Sequence, residues 1–254
     1  MNNFVYLIIG HMIGDFYLQS NSMFKQNKVL KHSFIYSISV LFMLSLSYIT
    51  NSTFTFSIRT LSSFLVYGLI LFGSHYLVDS IKFFIEPKML SSHKSDRFLK
   101  SFGIFIIDQL IHILVLLLVY YCWYGIFPIG KVSPGLMLVL SLLFLIMPAS
   151  IIISKTLSLV TGEEGQGFVL DDGSLIGIME RLLIFFLAIS NRAEGIGFII
   201  AAKTMVRYGE FEKGKQIEET HESYTSSFRV KYLIGTMASV LLSVLVFIIY
   251  SMLT

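Results

Sequence analysis

The sequence predicts an all-α fold, a polytopic transmembrane bundle of about seven or eight helices. Three observations carry this. Hydrophobic residues make up 55% of the 254 residues and charged residues only 14%, where a soluble domain carries about a quarter charged residues. The mean hydropathy is +0.76. Several apolar runs approach the roughly 20 residues that a helix needs to cross a bilayer. They are longer than a barrel strand needs, and an open sheet would leave backbone groups unsatisfied in lipid. An ordinary soluble enzyme, a disordered chain and a basic nucleic-acid binder are excluded, so no nucleic-acid partner is expected. Cys122 is the only cysteine, which excludes a disulfide framework and a cysteine-based zinc site.

Eight spans are expected, near residues 4–20, 33–50, 60–85, 99–124, 135–159, 174–190, 194–207 and 230–252. The first has no basic residue before it and contains His11 and Asp15, so it is not a cleavable signal peptide. The second and third carry serines suited to helix packing. The fourth ends in Tyr120, Tyr121, Trp123 and Tyr124, an interfacial aromatic belt. Pro148 kinks the fifth. Glu180 and Arg181 interrupt the sixth. The seventh opens on Glu194, Gly195 and Gly197, which close a hairpin or permit close helix approach. The first and seventh are the shortest. No repeat at a fixed period is visible. The chain divides into an N-terminal four-helix half, 1–134, and a C-terminal half, 135–254, with a charged segment near 208–229.

Basic residues orient the bundle. Lys25, Lys28 and Lys31 lie between spans 1 and 2, and Lys82, Lys88, Lys94, Arg97 and Lys100 between spans 3 and 4. Lys155 follows span 5, and Lys203, Arg207, Lys213, Lys215, Arg229 and Lys231 surround the link between spans 7 and 8. The opposite ends hold Arg59, Lys131 and Arg192. The positive-inside rule puts the first group in the cytoplasm. Eight crossings then place both termini outside, and a re-entrant span 7 flips the C-terminus. The cytoplasmic segments 161–174 and 208–229 read as solvated connections, and Glu218, Glu219, His221 and Glu222 as a wet charged face. His32 and His93 fall in basic connections and read as solvated.

Three pieces stand out: HMIGD (His11–Asp15), HYLVD (His75–Asp79) and DQLIH (Asp108–His112). Each sets a histidine and an aspartate four apart, on one face of a helix. Ionisable groups inside a span cost about 2.5–3.5 kcal/mol each on insertion scales. Spans 1 and 3 run inward and span 4 outward, and the motif order reverses in span 4. Every histidine therefore falls on the outer side and every aspartate on the inner side, roughly 8–12 Å from the cytoplasmic boundary at about 1.5 Å per residue. Neutral imidazole with carboxylate suits zinc first, with iron or manganese as alternatives. Three of each suffice for one closed site or an open two-metal site. Gln19 and Gln109 stand where they could orient a ligand or a substrate oxygen. Lys82 either holds Asp79 or reaches the interface. No GxSxG elbow, Walker loop, HExxH or dinucleotide fingerprint is present.

GHMIGDFYLQS, GSHYLVDSIKF and DQLIH resemble the three motifs of an uncharacterised bacterial membrane family, domain of unknown function 3307. The resemblance covers about the first half of the chain. GSLIGIMERLLI, GIGFIIAAKTMVRYG and YLIGTMASVLLS resemble the later part of longer members. It implies a multi-pass protein of the bacterial cytoplasmic membrane and supplies no established activity.

The function expected from the residues is an integral-membrane, metal-dependent hydrolase-like enzyme. Its metal ligands are His11, Asp15, His75, Asp79, Asp108 and His112. Asp15, Asp79 and Asp108 are also the catalytic candidates, one of them as general base. The expected substrate is amphipathic, an anionic lipid or isoprenoid, and its head group is held by Arg181, Lys203 and Arg207. The bland alternative for these three is an ion pair with Glu180 plus snorkelling ends. Two further functions stay open: a transporter or channel for a metal ion or protons that uses the same layer, and a non-enzymatic partner or sensor with 208–229 as its contact surface.

Overall fold

The computed structural model describes residues 1–19, 26–50, 58–90, 97–162, 172–217 and 222–254. Every element among them is helical: α1 (Asn2–Met12), a π-helical turn (Ile13–Tyr17), α2 (Gln26–Thr50), α3 (Ile58–Leu90), α4 (Arg97–Tyr124), α5 (Pro134–Ile146), α6 (Pro148–Thr161), α7 (Asp172–Ile189), α8 (Ala193–Ile217) and α9 (Glu222–Leu253).

The all-α membrane bundle is what the composition requires, with a lower span count than expected. Among the described residues, five stretches are long and apolar enough to cross a bilayer: Lys28–Thr50, Leu61–Leu90, Arg97–Tyr124, Pro134–Thr161 and Tyr232–Leu253. The first expected span has 11 α-helical and 5 π-helical residues, short of a full crossing. The sixth and seventh carry Glu180, Arg181 and Lys203 within their apolar runs. The chain forms two compact units, Met1–Phe144 with Leu253–Thr254, and Leu145–Met252. The division falls inside α5, beyond the connection at 134/135.

In the first unit α1 packs on α2, α2 on α3, α3 on α4, and α1 also meets α4. The unit buries a polar layer and exposes apolar side chains. On α4, Asp108 and His112 are buried while Leu110, Leu114 and Leu118 are exposed, as a lipid-facing helix requires. An apolar core of Phe4, Leu7, Tyr36, Val40, Leu44, Leu71, Leu116, Val119 and Tyr120 closes one end. Tyr120 is thus core, its ring centroid 5.4 Å from Phe4. Trp123 packs on Tyr67 at 4.4 Å and Phe64 at 5.2 Å, so only part of the expected aromatic belt faces outward. The serines of α2 bond their own helix: Ser33 Oγ donates to Val29 O and Ser37 Oγ to Ser33 O, which spares them an unsatisfied hydroxyl in the apolar interior. Ser133 N donates to Asn2 Oδ1, and Val132 N to Leu253 O. Asn2 and Leu253 therefore meet the same connection.

At Pro148 the helix is interrupted for one residue, Met147, while Pro134–Thr161 remains one apolar span. Proline lacks the N–H that would continue α5, and the freed carbonyls are bonded by side chains. Arg181 Nε donates to Leu145 O at 2.8 Å, and Ser150 Oγ to Ile146 O at 2.7 Å. Arg181 Nη2 donates in turn to Ser150 Oγ. Asn191 adopts φ 54° at the end of α7 and turns the chain into α8. Gly195 lies close to Leu187 there, and Gly197 has open space.

Gly10 and Gly14 set the spacing between α1 and α2. A Cβ on Gly10 would stand 2.8 Å from Val40 Cα, and one on Gly14 3.0 Å from Tyr36 Cα. Gly10-x-x-x-Gly14 is the small-residue pattern that lets two helices touch backbone to backbone. Gly10→Ala and Gly14→Ala should each destabilise the protein by about 1–3 kcal/mol through overpacking. Thermal unfolding in detergent reads this out, with Gly73→Ala, which meets open space, as the control that keeps its melting temperature.

Candidate metal centre

The centre is built at one level of the first unit by the π turn, α2, α3 and α4. On α3, His75 and Asp79 share a face as the i, i+4 spacing requires, with His75 Nε2 3.5 Å from Asp79 Oδ2. On α4, His112 Nδ1 donates to the backbone oxygen of Asp108 at 2.7 Å and lies 3.7 Å from its Oδ1. The first motif behaves differently. Asp15 lies within the π turn, Ile13–Tyr17, that follows His11; such turns recur at functional sites.

Asp15 points at α2, where it meets a residue that the motif pattern left out. His32 Nε2 lies 3.2 Å from Asp15 Oδ1 and 3.9 Å from Asp79 Oδ2. His32 is only 4% exposed, which corrects its reading as solvated. The cause is the start of α2, which begins at Gln26, well before the expected residue 33. A signal was present: Val29, His32, Tyr36, Val40 and Leu44 recur at helical spacing, and all are buried.

Four donor atoms converge: Asp15 Oδ1, His32 Nε2, His75 Nε2 and Asp79 Oδ2. The separations are 3.2 Å (Asp15–His32), 3.8 Å (Asp15–His75), 3.5 Å (His75–Asp79) and 3.9 Å (His32–Asp79). Ligands at about 2.0–2.1 Å from a tetrahedral zinc ion stand about 3.3 Å apart, and Asp15, His32 and His75 come near that spacing, with Asp79 adjoining them through His75 and His32. His75 Nε2 and Asp79 Oδ2 are buried with no hydrogen-bond partner, a cost that a bound cation removes. Two groups have all their donor atoms within 4.8 Å of one another: Asp15 with His32 and His75, and His75 with Asp79 and His112. Tyr36 stacks on the His75 ring at 3.8 Å and 9° and fixes its plane.

Gln109 is the clasp beside this set. Its Nε2 donates to Asp15 Oδ2 at 2.8 Å and lies 3.4 Å from Asp108 Oδ2. Two carboxylates need that amide as donor, so its Oε1 faces His11 and accepts from His11 Nε2–H at 3.1 Å. His11 thus joins the layer through Gln109, outside both three-residue groups. Asp108 joins through Lys82, whose Nζ donates to Asp108 Oδ2 at 2.7 Å. Lys82 therefore pairs with Asp108, whereas the sequence had it either hold Asp79 or simply reach the interface.

The remaining candidates lie elsewhere. Gln19 is exposed just beyond the π turn. In the second unit, Arg181 is 3% exposed, with its guanidinium spent on the Pro148 break. Lys203 pairs with Glu180, and the two line a small hollow with Thr236 and Ser239, with room for about one water molecule. The Arg207 side chain, His93, Glu218, Glu219, His221, the Glu222 side chain and most of the 161–174 connection lie outside the described residues.

Lys82→Met should destabilise the protein, because it strands a buried carboxylate. Adding Asp108→Asn should restore much of the loss. A double-mutant cycle on thermal unfolding is expected to give a coupling of about 0.5–3 kcal/mol.

No curated protein and no solved structure matches the chain. One family does, described as a protein of unknown function (DUF3307), over residues 3–129. That range takes in the π turn and every residue of the centre. The three motif pieces and His32 thus fall within the shared region, and the chain belongs to this family of uncharacterised proteins.

Proposed function

We propose that the protein is an integral-membrane, metal-dependent hydrolase-like enzyme of the bacterial cytoplasmic membrane, with its centre toward the cytoplasmic side. The observation that carries this is the convergence of Asp15 Oδ1, His32 Nε2 and His75 Nε2 inside an apolar bundle, with Asp79 Oδ2 unpartnered beside them. Two imidazoles and one carboxylate are a ligand set of catalytic type. Structural zinc sites use four protein ligands, whereas catalytic ones use three and keep a position open. Nitrogen with oxygen donors suits zinc, iron or manganese.

A bound divalent ion polarises a substrate oxygen and acidifies water. The protein residues supply the rest. Asp79, 3.5 Å from His75 Nε2, stands where a general base takes a proton. Gln109 holds the second oxygen of Asp15, so that Oδ1 remains the ligating atom. Tyr36 holds the His75 ring. Lys82 keeps Asp108 neutralised, and its side chain is 30% exposed, within reach of an anionic head group. An amphipathic substrate, a lipid or isoprenoid with such a head, suits a polar layer enclosed by lipid-facing helices. The committed partners of Arg181 and Lys203 remove the earlier reason to assign them to that head group.

The test is elemental analysis followed by hydrolysis assays with phospholipids and polyisoprenyl phosphates. Wild type should hold transition metal after purification in detergent. His75→Ala should lose it. Asp79→Asn should keep metal and lose hydrolysis about 10²–10⁴-fold, the usual worth of a general base. Metal-free wild type that folds normally sinks the reading. A second reading, a cation pathway, is favoured by the surplus of donors over what one ion needs. In that case proteoliposomes would pass the metal ion with no hydrolysis of any lipid.

A further inference from the structure

We infer that His75, Asp79 and His112 form a second cation position that shares His75 with the first, so that the layer takes a single divalent ion in either of two places. The inference rests on the metal reading above and adds where the ion sits and how many there are. The second position repeats the chemistry of the first: two imidazoles and one carboxylate, all buried, with donor atoms within 4.8 Å of one another.

His112 is already set as a ligand. Its Nδ1–H is spent on the Asp108 backbone oxygen at 2.7 Å, which leaves Nε2 as the nitrogen with the lone pair. That Nε2 is buried and has no partner, and neither has Asp79 Oδ2. Metal-binding histidines characteristically donate their other ring N–H to a carbonyl or carboxylate in this way. The His112 ring meets His75 at 4.4 Å in an edge arrangement of 73°, so the two imidazoles converge.

Two arguments limit the occupancy to one ion. The first is geometric. Asp15 Oδ1 and Asp79 Oδ2 approach the same nitrogen of His75, at 3.8 and 3.5 Å. One lone pair on that nitrogen serves one cation. The second is charge. Asp108 is neutralised by Lys82, so the carboxylates left to balance a metal are Asp15 and Asp79. Together they match one dication. A second ion would leave two positive charges uncompensated inside the bundle, where desolvated charge is expensive. Passage between the positions keeps His75 and exchanges Asp15 and His32 for Asp79 and His112. The ion can thus change neighbours without leaving the layer, and a substrate oxygen can enter on the side it vacates.

The full chain in detergent, stripped with chelator and titrated with Co²⁺ and separately with Zn²⁺, tests this. Wild type should bind one ion per chain. His32→Ala and His112→Ala should each still bind one, at least tenfold more weakly. Their Co²⁺ visible spectra should differ, because each retains a different triad. His75→Ala and the His32→Ala/His112→Ala double variant should bind none. Should an alanine variant fail to fold, the glutamine substitution at the same position takes its place. On wild type itself, ¹¹³Cd resonances should show two environments whose populations sum to one ion. Two ions per wild-type chain overturn the shared position. So does complete loss of binding in only one of the two single histidine variants, or a single cadmium environment. No metal in folded wild type instead overturns the metal reading on which this one stands.

Discussion

The constraint on which the rest of this structure depends is the cost of holding charge where water is absent. Asp15, Asp79 and Asp108 are all buried in a bundle whose outer surface is leucine and isoleucine. An isolated carboxylate in such surroundings is strongly disfavoured, so each must be answered from within the protein. Asp108 is answered by Lys82 and Asp15 by Gln109 and His32. Asp79 keeps an oxygen without a partner, and so do the ring nitrogens His75 Nε2 and His112 Nε2 beside it; together these unanswered atoms turn a packed polar layer into a candidate ion site.

Backbone features bring the layer together. Gly10 and Gly14 let α1 lie directly on α2. Asp15, inside the π turn that follows, meets His32 across this close approach. Gln109 then joins the α1 end to α4 through its contacts with His11 and Asp15. Rings complete the fixation: Tyr36 covers His75, and His11 lies stacked against His112 at 5.8 Å. A ligand set held this way loses little conformational freedom on binding an ion, which is the condition for useful affinity and for chemistry at a fixed point.

The second unit applies the same rule to different ends. The Pro148 break exposes backbone carbonyls inside the bundle, and Arg181 with Ser150 bonds them. Glu180 and Lys203 neutralise one another between α7 and α8. These charged residues look functional in a linear reading because they interrupt apolar spans. In three dimensions they close accounts left open by a broken helix and by each other.

The amino-acid sequence by itself determined that the chain is a helical membrane protein, because composition and apolar run length leave no other way to satisfy the backbone. It also marked His75 with Asp79 and Asp108 with His112 as same-face pairs, since helical periodicity is local. Contacts between helices were decided only by the tertiary structure. The sequence could not show that His32 replaces His11 beside Asp15, because this follows from the close approach of α1 and α2 and from where α2 begins. It could not show that Lys82 answers Asp108, since both Asp79 and Asp108 were within a lysine's reach in principle. Spacing along a helix assigns a residue to a face, whereas the partner it meets there depends on how closely, and in what phase, the next helix packs.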